Sequence, residues 1–127
     1  MLNDVKCRCT CPGVTVWVTG RSVGDRRAAA CAMAERLAAE GRRVKVLDRL
    51  DEAGADAGRV GMVAEVLARN GVVAIVPSAA AGAVTVRARH EASRTRYMEI
   101  GVAAHEDPQV TAARVAELLT GPRLVSA

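Results

Sequence analysis

The sequence predicts an α/β fold, a three-layer α/β/α sandwich around a parallel sheet, and three observations predict it. Two runs of strand length, Val14–Thr19 (VTVWVT) and Val72–Pro77 (VVAIVP), are apolar without alternation, as in strands buried on both faces. Segments with helical spacing of apolar residues separate the strand candidates. Glycines at Gly41 and Gly71 stand where a helix is stopped before the next strand. Strands alternating with helices in this way make parallel βαβ units with helices on both faces of one sheet.

Each element follows in order. Residues 1–12 read as an irregular N-terminal tail, and Pro12-Gly13 punctuates the entry to a single domain over 13–127. After the Val14–Thr19 strand comes a turn over Gly20–Asp25. A helix follows over Arg26–Glu40, with Ala30, Met33 and Leu37 inward and Arg26, Arg27, Glu35 and Arg36 outside. Arg43–Leu47 is a short strand ending at Asp48, and Asp51–Gly58 is a polar, glycine-bearing loop. A second helix spans Arg59–Asn70 with Val60, Val63 and Leu67 inward. Beyond the Val72–Pro77 strand lie a small-residue loop at Ser78–Gly82 and an arginine-rich helix over Val84–Ala92. Tyr97–Ala103 is the fourth strand. The closing helix, Pro108–Leu119, turns Ala112, Val115 and Leu118 inward and is stopped by Gly121-Pro122.

Composition narrows the function classes. A chain of 127 residues is long enough for one core, and with half its residues hydrophobic but no Phe, that core is built from Val, Ala, Leu, Ile and Met. The net charge of +4 comes mostly from arginines scattered along the chain, without the basic stripe and interleaved aromatics of a nucleic-acid binder. No nucleic-acid partner is expected. No run approaches the roughly 20 apolar residues that span a membrane, and no secretory leader is evident, so the expected location is cytoplasmic and away from membranes.

Cys7, Cys9 and Cys11 form C-R-C-T-C, which lacks the paired Cys-x-x-Cys spacing of zinc sites, and no metal centre is expected. Cys31, flanked by alanines, reads as a small core residue. A Ser/His/Asp hydrolase finds no support, because no His stands beside Ser22 by sequence.

The loop after the first strand is where an α/β sheet binds ligands, at a helix N-terminus beyond the strand's carboxyl end. A working phosphate loop reads G-x-x-x-x-G-K-[ST]: glycines expose backbone N–H groups, Lys holds the β/γ oxygens and the hydroxyl holds magnesium. Here Gly20 fills the first position, Asp25 the second glycine, Arg26 the lysine and Arg27 the hydroxyl. Asp25 puts a carboxylate at or near the helix N-cap, where it competes with an anion for the free N–H groups. Arg26 keeps a positive charge in a planar fork instead of a point charge. Arg27 removes the magnesium ligand.

The opening GVTVWVTGRS resembles that of the adenylylsulfate kinases, which reads G-x-T-V-W-[FL]-T-G-L-S-G-A-G-K-S. AERLAAEGRRVKVLD is similar to the family's first helix and second strand, and HEASRTRYMEIGV to its H-E-x-A-G-L-x-F-x-E-V-F-V region. The resemblance spans about Gly13 to Ala104 plus the last helix and implies a phosphate-loop kinase fold. The departures fall on function. The family's D-G-D exit from the second strand keeps Asp48, but Arg49-Leu50-Asp51 displaces the second acid and the sulfate-binding arginine. Its pair of arginines on the next helix keeps at best Arg59, its S-x-x-S-P-[FY] loop becomes PSAAAG, and Arg87 matches a family arginine. The basic lid is missing: the chain runs from Ala104 through His105-Glu106-Asp107 almost directly into the last helix.

These residues give the expected site. Asp48 is the candidate catalytic group, since a carboxylate at a strand's carboxyl end holds metals or acts as a base; the plainer reading is a helix cap or a salt bridge to Arg49 or Arg59. Gly20, Ser22, Gly24, Arg26, Arg27, Arg59 and Arg87 are the candidate nucleotide- or anion-binding residues. His90 is expected on the helix surface, like its family counterpart.

The reading that follows is a degenerate, lid-less adenylylsulfate-kinase-like protein without phosphoryl transfer. It would act as a non-catalytic or regulatory module through protein contacts, as a homodimer or a heteromer with another protein, in sulfate activation. The alternative is residual binding of an adenine nucleotide with weak kinase activity towards adenylyl sulfate. Only under that alternative would ATP and magnesium be cofactors.

Overall fold

The computed structural model describes residues 12–48, 57–78 and 82–126, with side chains described to residue 119. The C-R-C-T-C cluster and Arg49-Leu50-Asp51 lie outside these residues. Eight elements alternate: β1 (Val14–Thr19), α1 (Val23–Ala39), β2 (Val44–Val46), α2 (Ala57–Arg69), β3 (Val73–Pro77), α3 (Ala83–Ala92), β4 (Tyr97–Gly101) and α4 (Pro108–Ser126). All strand pairs are parallel, in the order β2-β3-β1-β4, with Val16 paired to Ile75 on one side and to Met98 on the other. The predicted α/β class and parallel sheet are therefore present, and β1 runs over the predicted residues.

Period-two alternation along β1 divides the core. Val14, Val16 and Val18 face α1 and α4, where Ala29, Ala30, Met33, Leu37, Ala112, Val115 and Leu119 close the first layer. Trp17 faces the other way, into Leu47, Val60, Ala64, Ala74, Val76, Ala83 and Val86 beneath α2 and α3. The alanines let α1 and α4 come close, and one tryptophan fills the wider space on the opposite face. The chain leaves β1 towards one face and β3 towards the other, so a crevice opens between their carboxyl ends beside the loop that follows β1.

Several expectations are corrected by the packing. On α2, Val63 is 46% exposed, and the buried line runs through Val60, Gly61, Ala64, Glu65 and Ala68. Small residues face inward there because α2 meets α3 closely: a Cβ on Gly61 would come within 2.7 Å of a Val86 methyl. On α4, Leu119 is buried and Leu118 is 44% exposed, because the inward stripe passes through Ala112, Val115, Ala116 and Leu119. That helix also runs past the predicted stop at Gly121-Pro122 to Ser126; a proline removes its own N–H and strains the turn before it, which a helix can absorb at a cost. Cys31 is exposed, not a core residue, since the buried apolar positions of α1 are Ala29, Ala30, Ala32, Met33 and Leu37.

His90 is also corrected. It is fully buried, not on the surface, and completes the inward line Ala83, Val86, His90 on α3. Its Nδ1 lies 2.8 Å from the Val86 carbonyl, which can only accept, so Nδ1 donates there. In the neutral ring Nε2 then accepts from the buried Thr15 hydroxyl, also at 2.8 Å. The pair ties α3 to β1 with both polar groups satisfied, and the Tyr97 ring lies 5.1 Å from the imidazole.

Candidate functional site: a closed loop at the carboxyl end of the sheet

The loop after β1 is shorter than the motif implies. Helix α1 begins at Val23, and its N-cap is Ser22, whose backbone is extended (φ −94°, ψ 130°) and whose Oγ accepts the Asp25 N–H at 3.1 Å. Asp25 is thus in the first turn, near the cap, and the helix starts at Val23 and not at the expected Arg26. The helix starts early because the Ser22 side chain satisfies an N–H that would otherwise lack a partner. The Arg26 N–H is also taken, by the Ser22 carbonyl at 3.0 Å. Only Gly20, Arg21 and Ser22 separate strand from helix. Two backbone donors that a phosphate loop would turn towards its ligand are bonded within the helix start.

Replacing Ser22 with alanine is expected to destabilise the protein by about 1 kcal/mol, read as a lowered urea midpoint with an unchanged slope. An unchanged midpoint would show that the cap does not set the start of α1.

The two glycines differ. Gly20 has φ +155°, and a Cβ there would lie 2.9 Å from the Val102 carbonyl oxygen, so β4's exit leaves room for nothing larger. Gly24 sits in the first turn of α1, where a Cβ would meet only the Ser22 Oγ at 3.6 Å, an ordinary contact. The packing requires glycine at the first position and tolerates a side chain at the second.

The cations at the lysine and hydroxyl positions are engaged. Arg26, expected on the outside, is 9% exposed and folds back so that Nη1 donates to the Gly20 carbonyl. Arg27 Nε donates to Asp48 Oδ1 at 2.9 Å, both side chains about a third exposed. Asp48 therefore pairs with an arginine from α1, a partner that sequence spacing did not single out. A guanidinium stands at the hydroxyl position of the motif, and it is bonded to the Asp48 carboxylate.

The other candidates lie on α2 and α3. Arg59 is exposed on α2. Arg87 on α3 forms an ion pair with Glu99 of β4, which also accepts the Tyr97 hydroxyl at 3.0 Å. Burial, and then that bond to Glu99, pushes the Tyr97 phenol above its usual range. Among the described residues no group of three His, Cys, Asp or Glu side chains converges as a metal site.

Where a lid would be inserted, residues 102–107 pass directly from β4 to α4 and are tied down. Glu106 accepts from the Thr111 hydroxyl at 2.6 Å and from the Ala103 N–H at 3.0 Å, and Asp107 Oδ1 accepts the Gln109 N–H at 2.9 Å at the start of α4. The Thr111 and Ala103 bonds, with Arg114 nearby, hold the Glu106 carboxyl below its ordinary range. The buried Glu65 carboxyl is likewise lowered, first by Ser93 and then by Arg89, whose Nε lies 2.6 Å away.

Both folded-state values are depressed, so their stabilisation is present above the unfolded glutamate value of about 4.3 and is lost as pH falls through the lower folded values. Urea midpoints of the wild type should therefore fall steeply as pH drops from about 5 towards 3. A Glu65→Gln/Glu106→Gln variant should show a flatter fall over that window; parallel profiles would remove these carboxylates from the account.

With this geometry in hand, comparison with solved structures identifies the fold. The APS (adenylylsulfate) kinase CysC of Mycobacterium tuberculosis, in a cysteine-to-alanine variant, matches with a TM-score of 0.71 at 22% identity over 86% of this chain and 98% of that one. The fold is that of an adenylylsulfate kinase. The same Mycobacterium tuberculosis enzyme in complex with AMPPNP and APS gives 0.69 at 18% identity, with the same coverage. The hexameric APS kinase of Thiobacillus denitrificans gives 0.73 at 23% identity over 90% of this chain, which spans 30% of that longer chain. No protein-family model matches the sequence, and no curated protein matches it. The adenylylsulfate-kinase-like fold and the sequence resemblance thus agree. Among the described residues no helix is long and apolar enough to cross a membrane.

Proposed function

We propose that this chain is an adenylylsulfate-kinase-like protein that has lost phosphoryl transfer and works as a non-catalytic module through contacts with other proteins. One observation carries the reading: the two arginines at the lysine and hydroxyl positions are spent on the protein itself, Arg26 on the Gly20 carbonyl and Arg27 on Asp48 at 2.9 Å. Phosphoryl transfer rests on positioning and on cations aimed at the transferring group, and neither arginine is available without breaking an internal bond. The early start of α1 supports the same conclusion, as does the short link at 102–107, which has no room for a lid of its own.

The APS kinase neighbour from Thiobacillus denitrificans is hexameric. A self-associating or mixed assembly, including one with an active enzyme of sulfate activation, is the partner this reading favours. The alternative, a weak kinase using ATP and magnesium on adenylyl sulfate, keeps in its favour Gly20, Ser22 and the uncommitted start of α1 at Val23 and Gly24. A kinase assay with ATP, magnesium and adenylyl sulfate decides between them. No turnover above the uncatalysed background is expected; magnesium-dependent product formation that scales with protein concentration would reject the non-catalytic reading.

A further inference from the structure

A second concave site lies at the opposite pole of the sheet from the loop. Its volume is about 480 Å3, within the range of small-molecule pockets. Gly13 and Arg96 in its wall immediately precede β1 and β4, and Gly71 stands just ahead of Val72 and β3, so the length of β1 separates it from Gly20. The walls carry Arg69, Asn70, Ser93, Arg94, Thr95 and Arg96.

Three features bear on these arginines. Five other arginines of the described chain are paired with carboxylates: Arg27 with Asp48, Arg36 with Glu40, Arg87 with Glu99, Arg89 with Glu65 and Arg114 with Glu106. Arg69, Arg94 and Arg96 make no salt bridge or side-chain hydrogen bond among the described residues. The carboxylate that reaches this wall, Glu65 through Ser93, is already matched by Arg89.

Second, the ends of α2 and α3 point here, and each helix end contributes roughly half a negative charge. Together they offset about one of the three positive charges, leaving about two in the concavity. Third, Arg94 closes α3 with φ +57°, the left-handed position that glycine ordinarily fills. A side chain is kept there despite the backbone cost.

We propose that this pocket binds a small molecule through a doubly charged phosphate group. Arginine forks match phosphate oxygens in pairs, three of them surround one concavity, and the residual charge suits a dianion. The Ser93 and Thr95 hydroxyls on the same wall are bonded to each other at 2.7 Å, and Ser93 also to the His90 carbonyl, so the arginines carry the recognition. No aromatic ring lines the pocket to stack a nucleobase, so the phosphate and not a base is the recognised group.

The test is an amide and arginine-side-chain NMR titration of the full chain with inorganic phosphate and with pyrophosphate. Saturable shifts at Arg69–Gly71 and Ser93–Arg96 are expected, with half-saturation at or below about 1 mM for the better ligand. An Arg94→Gln/Arg96→Gln variant should lose about tenfold or more in affinity while the rest of its spectrum stays that of the wild type. Arg94→Gly should raise the melting temperature, by relieving the left-handed residue, and yet weaken binding. Shifts confined to Gly20–Asp25, no saturation with either probe, or unchanged affinity in the double variant would each overturn the proposal. Binding of a single-stranded oligonucleotide in preference to both small probes would overturn it too, in favour of a nucleic-acid surface.

Discussion

Replacing Trp17 with alanine is expected to cost about 3–5 kcal/mol, the largest single-site loss in the core. Trp17 is the one tryptophan of the chain and is completely buried. It fills the layer between β1 and the α2–α3 pair, against Leu47, Val60, Ala64, Ala74, Val76, Ala83 and Val86. Several of these neighbours are alanines, which cannot reach in to fill the space left by an indole, so the cavity term is added to the lost transfer free energy. Domains of this kind hold about 5–15 kcal/mol in total, so the variant should be marginal at room temperature. Urea unfolding followed by far-ultraviolet circular dichroism gives the value; a loss below about 1 kcal/mol would mean that α2 and α3 can collapse onto the sheet, contrary to the packing described. Because Trp17 is inside, its ring supports the strand that carries the loop and takes no part in stacking on a ligand.

The second large effect is on ligand binding. An Asp25→Gly/Arg26→Lys/Arg27→Ser variant is expected to bind phosphate-bearing nucleotides about tenfold or more tightly than the wild type, an effect of at least about 1.4 kcal/mol. The three changes act together: the carboxylate in the first turn is removed, glycine weakens the early helix start, and the Arg27–Asp48 pair is broken. A compact ammonium then replaces the guanidinium bonded to Gly20. Useful catalysis is not expected to follow, because residues 102–107 are still tied to α4 through Glu106 and carry no lid. Magnesium-dependent turnover by this variant would show that the lid is dispensable; unchanged nucleotide affinity would show that the loop residues are not what closes the site.

Much of the fold was legible because β1 is nearly all β-branched and β3 is an unbroken apolar run, which no helical period explains. The helix faces were harder where packing uses small residues: hydrophobicity favoured Val63 on α2, but close approach to Val86 places Gly61 and Ala64 inward. His90 shows a different failure. Its spacing from Ala83 and Val86 was a usable signal for burial, but a polar residue on an arginine-rich helix reads as surface until Thr15 and the Val86 carbonyl are seen to satisfy it.

At the candidate site, the sequence showed which positions had changed but not where the new side chains go. Arg27 and Asp48 are 21 residues apart on a helix and a strand end, and only the βαβ crossover brings them together. The start of α1 at Val23 was likewise hidden, because the serine that caps it is also a residue of the family's own motif.

Calorimetric titration of the Arg94→Gln/Arg96→Gln protein, which keeps the wild-type loop and lacks the second pocket's arginines, with ATP, ADP and adenylyl sulfate in the presence of magnesium tests the central claim most directly. With Arg26 and Arg27 held on Gly20 and Asp48, no saturable heat is expected from any of the three up to about 1 mM. Saturable, magnesium-dependent binding of ATP in the micromolar range, abolished by replacing Ser22 and Arg26, would contradict it and restore the loop as a nucleotide site.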